Sequence, residues 1–252
     1  MVNLLIIKRI FKKIHIDSSF YFFIFLSCLS ANFKNFILFL SIIIIHELGH
    51  VLMGLFLGWK LDKISIYPYG GVTKFNEDIN KRLIEELLIL LSGPFLQLLY
   101  FFIYYYIFRD DYFKYYNISI LIFNLLPIYP LDGGKILNII LSYFLSFRLS
   151  YYLSIIISIV ISFLFIFFSI TRNYTFNLIL MFLIVISKVL IEVKKRRYYF
   201  NKFLLERYIN KYNFKKVKNV SSIKKMMRDK RHIIYSNNKY YTEKDFLKKL
   251  YR

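Results

Sequence analysis

A single cysteine, Cys28, stands among 252 residues, so no internal disulfide framework can hold this chain together. Internal repeats and Gly/Ser-rich linkers are also missing, and the length suits one domain or one compact membrane bundle. Acidic residues are scarce, 15 against 36 Lys and Arg, for a formal charge of +21. On a soluble protein that imbalance would suggest nucleic acid as a partner. Histidine is rarer still, with four in the chain beside seven Glu, so any regular spacing between them is unlikely to arise by chance.

What the chain has in excess is apolar surface. Hydrophobic residues make up 58% and aromatics 21%, with 28 Phe and 23 Tyr. An ordinary soluble domain is nearer half apolar. The excess is clustered in runs such as Phe36 to Ile45 and Tyr152 to Ile170, and about 20 mostly apolar residues cross a hydrocarbon core. The reading is an all-α polytopic membrane protein with about six spans, near 18–32, 35–58, 83–108, 115–143, 150–170 and 174–193. With the N-terminus inside, the inner segments 1–17, 59–82, 144–149 and 194–252 carry 4, 5, 1 and 20 Lys plus Arg. The outer turns hold Lys34, Arg109, Lys114 and Arg172 alone. That asymmetry places both termini in the cytosol and assigns the positive charge to topology and anionic lipid, with no nucleic acid as partner. Phe25-Leu26-Ser27-Cys28 does not qualify as a lipoprotein signal, because Leu26 is large where a small residue is needed.

Ionisable groups at membrane depth are costly, which makes them informative. The second span carries three, in Ile45-His46-Glu47-Leu48-Gly49-His50. His46 and His50 are four residues apart and project from one helix face a turn from each other, placed to share Zn²⁺. Glu47, one step round the helix, can take a proton from an attacking water. His46 lies about 17 Å along the helix from Asn35, so the site requires a polar cavity near the midplane. A third ligand is expected from elsewhere, since catalytic zinc commonly has three. The fourth span holds Asn124-Leu125-Leu126-Pro127-Ile128-Tyr129-Pro130-Leu131-Asp132-Gly133-Gly134, where two prolines and two glycines break the helix. Asp132 is the only acid between Tyr112 and Ile191. It is either a metal ligand or the cap of the helix that follows.

His46-Glu47-Leu48-Gly49-His50 together with Asn124, Pro127, Pro130, Asp132, Gly133 and Gly134 resembles the site-2 protease family of intramembrane metalloproteases. The resemblance implies one Zn²⁺ per chain on His46, His50 and Asp132, with Glu47 activating water and Asn124 steadying substrate or the tetrahedral intermediate. Ile66-Tyr67-Pro68-Tyr69-Gly70-Gly71-Val72-Thr73 reads as strand, Gly-Gly turn and strand. It resembles the family's membrane-dipping β-hairpin, whose free edge can pair with an extended substrate. Gly70, Gly71, Pro127 and Pro130 are the expected substrate contacts. Ser92-Gly93-Pro94 resembles the family's small-residue break, or else serves close helix packing.

Within the family, the short N-terminus, six spans, cytosolic tail and lack of a PDZ insertion resemble the sporulation branch. That branch implies a membrane-tethered sporulation sigma-factor precursor as substrate. Two portions are expected, a transmembrane protease domain at 1–193 and a basic cytosolic α/β tail at 194–252. In the tail, Val220 to Arg228 reads as helix, His232 to Tyr235 as strand, and Thr242 as the cap of a last helix. This resembles a single CBS-type module, which would imply ATP or another nucleotide; the alternative is a basic segment on the inner leaflet. Expected partners are a membrane-anchored protein substrate and the lipid bilayer, with inhibitory membrane proteins as candidate regulators. The rival readings are a zinc-binding transporter and an inactive scaffold of the same fold. A single isolated cluster with an intact Glu47 disfavours both.

Overall fold

A computed structural model describes residues 13–16, 21, 33–67, 70–171, 176–236 and 239–250. The expected first span at 18–32, with Cys28, lies outside the described residues, apart from Tyr21. The chain divides into two compact units, one of Met1–Glu77 and Leu88–Asn124, the other of Asp78–Leu87 and Leu125–Arg252.

In the first unit, strand β1 (Ile14–Ile16) precedes helix α1 (Phe33–Phe56), strands β2 (Leu61–Tyr67) and β3 (Gly70–Phe75), most of helix α2 (Leu83–Phe108) and nearly all of α3 (Asp111–Leu125). Helix α1 is an unbroken, mostly apolar helix of 24 residues, about 36 Å long. It stops because Gly58 takes a positive φ of 75°. There the Trp59 N–H reaches Gly54 O at 2.8 Å and the Gly58 N–H reaches Leu55 O at 3.0 Å, a Schellman ending. β2 is central in a three-stranded sheet, parallel to β1 and antiparallel to β3. Gly70 pairs with Tyr67 and Gly71 with Ile66. The expected Gly-Gly turn is therefore displaced: both glycines belong to strand β3, and residues 68–69, between the strands, lie outside the described residues. β1 was not expected from the sequence.

Two small residues let neighbours close on α1. A Cβ on Gly49 would collide with the Ser92 carbonyl and the Gly93 Cα of α2, and one on Gly54 would enter the Phe75 ring of β3. The Ser92 Oγ–H donates to Gly49 O at 2.9 Å. α2 runs without interruption through Pro94, so the expected break at Ser92-Gly93-Pro94 is instead a site of close packing. Leu38, Ile42 and Phe113 form an adjoining buried core with Tyr100 and Tyr104 packed against it.

In the second unit, residues 126–131 separate α3 from α4 (Asp132–Phe144), followed by α5 (Phe147–Thr171) and α6 (Phe176–Ile209). The expected fourth span is thus two helices with a link holding Pro127 and Pro130, the latter after a cis peptide bond. The link folds back over the start of α4. A Cβ on Gly133 would strike the Leu125 and Leu126 carbonyls, and one on Gly134 the Ile128–Tyr129 backbone. α5 presents Ser150, Ser154, Ser158 and Ser162 at four-residue spacing, each 1% exposed or less. Ser150 accepts from Ser142 at 2.9 Å, Ser154 from Asn138 at 3.2 Å, and Ser158 from the Tyr129 N–H at 2.7 Å. Small polar residues of this kind bring helices together where hydrocarbon provides no hydrophobic drive. α6 continues well past the expected end of the sixth span at 193.

The tail adds β4 (Lys216–Val220), a 3₁₀ turn (Ile223–Lys225), β5 (Lys230–Ser236), β6 (Lys239–Thr242) and α7 (Glu243–Leu250). β4 is parallel and β6 antiparallel to β5. The helix expected over Val220 to Arg228 is reduced to that 3₁₀ turn. Ser222 is extended, and Met226 and Met227 turn into the core rather than continuing a helical face. Thr242 caps α7, accepting the Asp245 N–H at 3.3 Å while its hydroxyl donates to the Asp245 carboxylate at 2.6 Å. The tail core contains Phe203, Leu204, Val220, Met226, Ile234 and Leu247, and extends to Phe147 of α5. Three helices among the described residues, Phe33–Phe56, Leu83–Phe108 and Phe147–Ser169, are long and apolar enough to cross a membrane.

Candidate metal centre

His46, Glu47 and His50 sit just past the midpoint of α1, exposed by 2%, 6% and 5% respectively. Their ligand atoms lie within 4.8 Å of one another, the one such grouping of three or more among the described residues. The two histidines face α2. His46 Nδ1 lies 2.8 Å from Gln97 Oε1, and His50 Nδ1 lies 2.7 Å from the Ile89 carbonyl. Gln97 is fully buried, and its amide nitrogen donates to Asn117 O at 2.9 Å, which turns Oε1 toward His46. Carbonyl oxygens only accept, so each ring carries its proton on Nδ1 and keeps a lone pair on Nε2. The two Nε2 atoms converge at 3.1 Å.

This donor set fits a zinc ion. Two nitrogens at about 2.0–2.1 Å from a tetrahedral metal stand roughly 3.3 Å apart. Hydrogen-bonding the far ring nitrogen to a carbonyl is the usual way a metal-binding histidine is oriented. Gly93 makes the arrangement sterically possible, because a Cβ there would overlap the His50 ring at Cε1 and Nε2.

Glu47 points a different way, about 100° round the helix, toward β3. Its Oε2 accepts the Thr73 hydroxyl at 2.6 Å. A Cβ on Gly71 would collide with the Glu47 side chain, so the glycine lets the strand lie directly against the carboxylate. Gly70, one residue earlier, has φ of 144°, a conformation side chains rarely adopt.

The remaining expected site residues fall as follows. Asn124 is half-buried near the end of α3. Pro127 and Pro130 are half-buried in the link, and Asp132 opens α4 in the second unit, 8% exposed. Asp132 does not cap that helix. The cap position is Leu131, with no side-chain hydrogen bond, and the Asp132 carboxylate instead meets Lys135 Nζ at 3.4 Å. Gln97, Asn117 and Thr73 were not anticipated. Gln97 is an isolated amide within a strongly apolar helix, a signal of the same kind that marks the histidines, whereas Asn117 lies in the more polar α3.

The Peptidase family M50 model matches residues 34–110 and 111–168, more than half of the chain. The chain belongs to that family and, with its three apolar helices, is an integral membrane protein. It is 34% identical to stage IV sporulation protein FB of Bacillus subtilis over 140 residues, 52% of this chain and 48% of that one. It is 35% identical to a zinc metalloprotease of Methanocaldococcus jannaschii over 118 residues, 42% of this chain and 34% of that one. This chain therefore spans about half or less of these curated relatives. The solved site-2 protease from M. jannaschii shares the fold, with a TM-score of 0.57 at 24% identity, covering 71% of this chain and 89% of that one.

Proposed function

We propose that this chain is a zinc-dependent intramembrane endopeptidase that cuts a membrane-anchored protein in or near its transmembrane segment. The observation carrying this reading is the convergence of His46 and His50 Nε2 at 3.1 Å with both Nδ1 atoms held by carbonyls. His46 and His50, with Asp132 as third ligand by the family pattern, would hold one Zn²⁺. When bound, zinc supplies Lewis-acid charge that polarises a peptide carbonyl and makes water acidic near neutral pH.

The chain's own groups do the rest. Glu47 accepts the proton of the attacking water and returns it to the leaving amine. Thr73 holds one carboxylate oxygen, so the side chain meets the reaction in a single orientation. Asn124 is assigned to the oxyanion, whose stabilisation by a positioned donor is a large term in peptide hydrolysis. β3 pairs with β2 on one side; its other edge is assigned to the substrate, which must be extended to expose a scissile amide. Gly70, Gly71, Pro127 and Pro130 are assigned to that contact. Because Gly71 lies against Glu47, a strand added to β3 would run close to the proton acceptor.

A sporulation sigma-factor precursor as substrate follows from the resemblance to the sporulation branch. The division into a protease portion at 1–193 and a tail at 194–252, with inhibitory membrane partners as candidate regulators, belongs to the same reading, and cytosolic termini follow from the asymmetry of Lys and Arg. The CBS-type module with ATP or another nucleotide rests on resemblance alone.

Co-expression with a tagged, membrane-anchored sigma-factor precursor tests the proposal. Wild type should cleave it, and Glu47→Gln should lose cleavage by about 10²–10⁴-fold while retaining one zinc per chain. Cleavage by the Gln variant at wild-type rate would overturn the role of Glu47. Absence of zinc from purified wild type would overturn the metal assignment.

A further inference from the structure

At the first turn of α5, Ser146, Arg148, Leu149, Tyr152, Arg196 and Lys224 line an open cleft of roughly 280 Å³. Three cations from three elements converge there: Arg148 from α5, Arg196 from α6 and Lys224 from the 3₁₀ turn of the tail. Among the described residues, none of the three forms an ion pair with a carboxylate. Glu192, one turn from Arg196, is already engaged by Lys195 at 3.0 Å and by the Tyr151 hydroxyl at 3.0 Å. Like charges drawn together without a counter-charge repel each other unless an anion joins them.

The cluster is held in place. The Phe147 N–H donates to Met226 O at 2.9 Å, which pins the tail turn to the start of α5. The Phe147 ring stacks on Phe203 at 4.5 Å with 9° between planes. Arg196 lies over the Tyr152 ring, 5.4 Å from its centre.

Position and rim distinguish the anion's source. Phe147–Ser169 is long and apolar enough to cross the bilayer, and a helix that does so carries its first turn at the level of the headgroups. Beside the cations stand exposed apolar surfaces: Leu149 at 44% and Tyr152 at 44%. A site for a free phosphate has no use for that rim, whereas a phospholipid offers an anion to the cations and an acyl chain to the rim. We propose that this cleft binds the phosphate headgroup of an anionic phospholipid and thereby fastens the tail turn and α6 to the membrane surface at the end of α5.

The test is native mass spectrometry of the full chain in detergent, titrated with phosphatidylglycerol and separately with phosphatidylcholine. Wild type should retain one tightly bound phosphatidylglycerol and no phosphatidylcholine. A triple variant, Arg148→Ala with Arg196→Ala and Lys224→Ala, should bind phosphatidylglycerol on the order of a hundredfold more weakly, at about fivefold per cation. Arg148→Lys with Arg196→Lys, which keeps the charge, should stay within about tenfold of wild type. Lys239→Ala with Lys244→Ala and Lys248→Ala removes the same charge from β6 and α7 and should leave the tight lipid in place. Equal weakening in both triple variants would overturn the site in favour of diffuse attraction. Displacement of the lipid by millimolar glycerol phosphate, bound equally well, would overturn the lipid as ligand and leave a free-phosphate site.

Discussion

Two buried histidine clusters occupy this molecule, and they are built for opposite ends. In α1, His46 and His50 each give Nδ1 to a carbonyl and turn Nε2 toward a common point. In the tail, His232 is equally buried, at 1% exposure, yet both its nitrogens are taken up by protein. Nδ1 donates to Glu243 Oε1 at 2.7 Å, and Nε2 accepts the Met227 N–H at 3.1 Å. Arg207 closes the cluster, donating to Glu243, Asn80 Oδ1, and the Lys230 and Met227 carbonyls. Burial and a neighbouring carboxylate are common to both. What separates a pair able to hold a metal from a structural network is the direction in which the second ring nitrogen points.

The sharpest way to break the comparison is to remove one ring from each cluster. His50→Ala should lose stoichiometric zinc and all measurable cleavage, because two ligands do not hold the ion at ordinary zinc concentrations. His232→Asn should leave zinc content and the cleaving centre as they are. Metal analysis of the two purified variants decides it. Equal zinc in both would dissolve the distinction.

Next in size is the orientation of His46. Gln97→Leu removes the carbonyl that fixes its tautomer and should weaken zinc binding about 10–100-fold, the usual effect of losing such a partner. Competition with a calibrated chelator measures it. Gln97→Glu keeps an acceptor and should recover most of the loss, which a purely packing role for the residue would not predict. Smaller again is Thr73. Thr73→Val should lower kcat about tenfold, with KM and zinc content little changed, since one hydrogen bond to a charged group is lost. Thr73→Ser should restore the rate. A change confined to KM would mean that Thr73 serves the substrate strand rather than Glu47.

How far the sequence disclosed these arrangements depended on whether the cause was local. The four-residue spacing of His46 and His50 and the prolines before Asp132 are local signals, and the helix and the broken span follow from them. The alternation around Ile66 exposed the hairpin. The place of its turn went astray because Gly71 answers to the Glu47 side chain on another element. β1 is three residues paired with a strand some 50 positions away, and nothing in its own composition announces that partner. Lys216–Val220 is a strand because β5 lies beside it, while Ile223, Met226 and Met227 imitate a helical face. Gln97 and Thr73 take their roles from contacts across 51 and 26 positions respectively, which no window of sequence spans.

The smallest effect is one of pH, and it belongs to the closed cluster. Burial holds the His232 pKa below its ordinary 6.5, reinforced by the charges of Arg207 and Lys218, against an opposing pull from Glu243. For Glu243, burial works upward, but the His232 hydrogen bond and the Arg207 charge outweigh it and hold the carboxyl below its ordinary 4.5. Folded His232 therefore binds its proton less readily than the unfolded chain does. The stability of the neutral cluster is complete above about pH 6.5 and is lost as the pH falls below it. Glu243 adds a loss of the same sign nearer pH 4.5. One histidine contributes a slope of at most about 1.4 kcal/mol per pH unit. Protonation at Nε2 would also set two N–H groups against each other, that of Met227 and the imidazolium's own. Hydrogen exchange of the Met227 amide, corrected for the intrinsic pH dependence, should show protection declining from pH 7.5 to 5.5 in wild type. His232→Asn keeps a donor for Glu243 and has no proton to gain, so its protection should start lower and stay nearly flat over that range. A wild-type curve as flat as the variant's would mean that His232 binds its proton equally well in the closed and open states, and the contrast with the α1 pair would then rest on geometry alone.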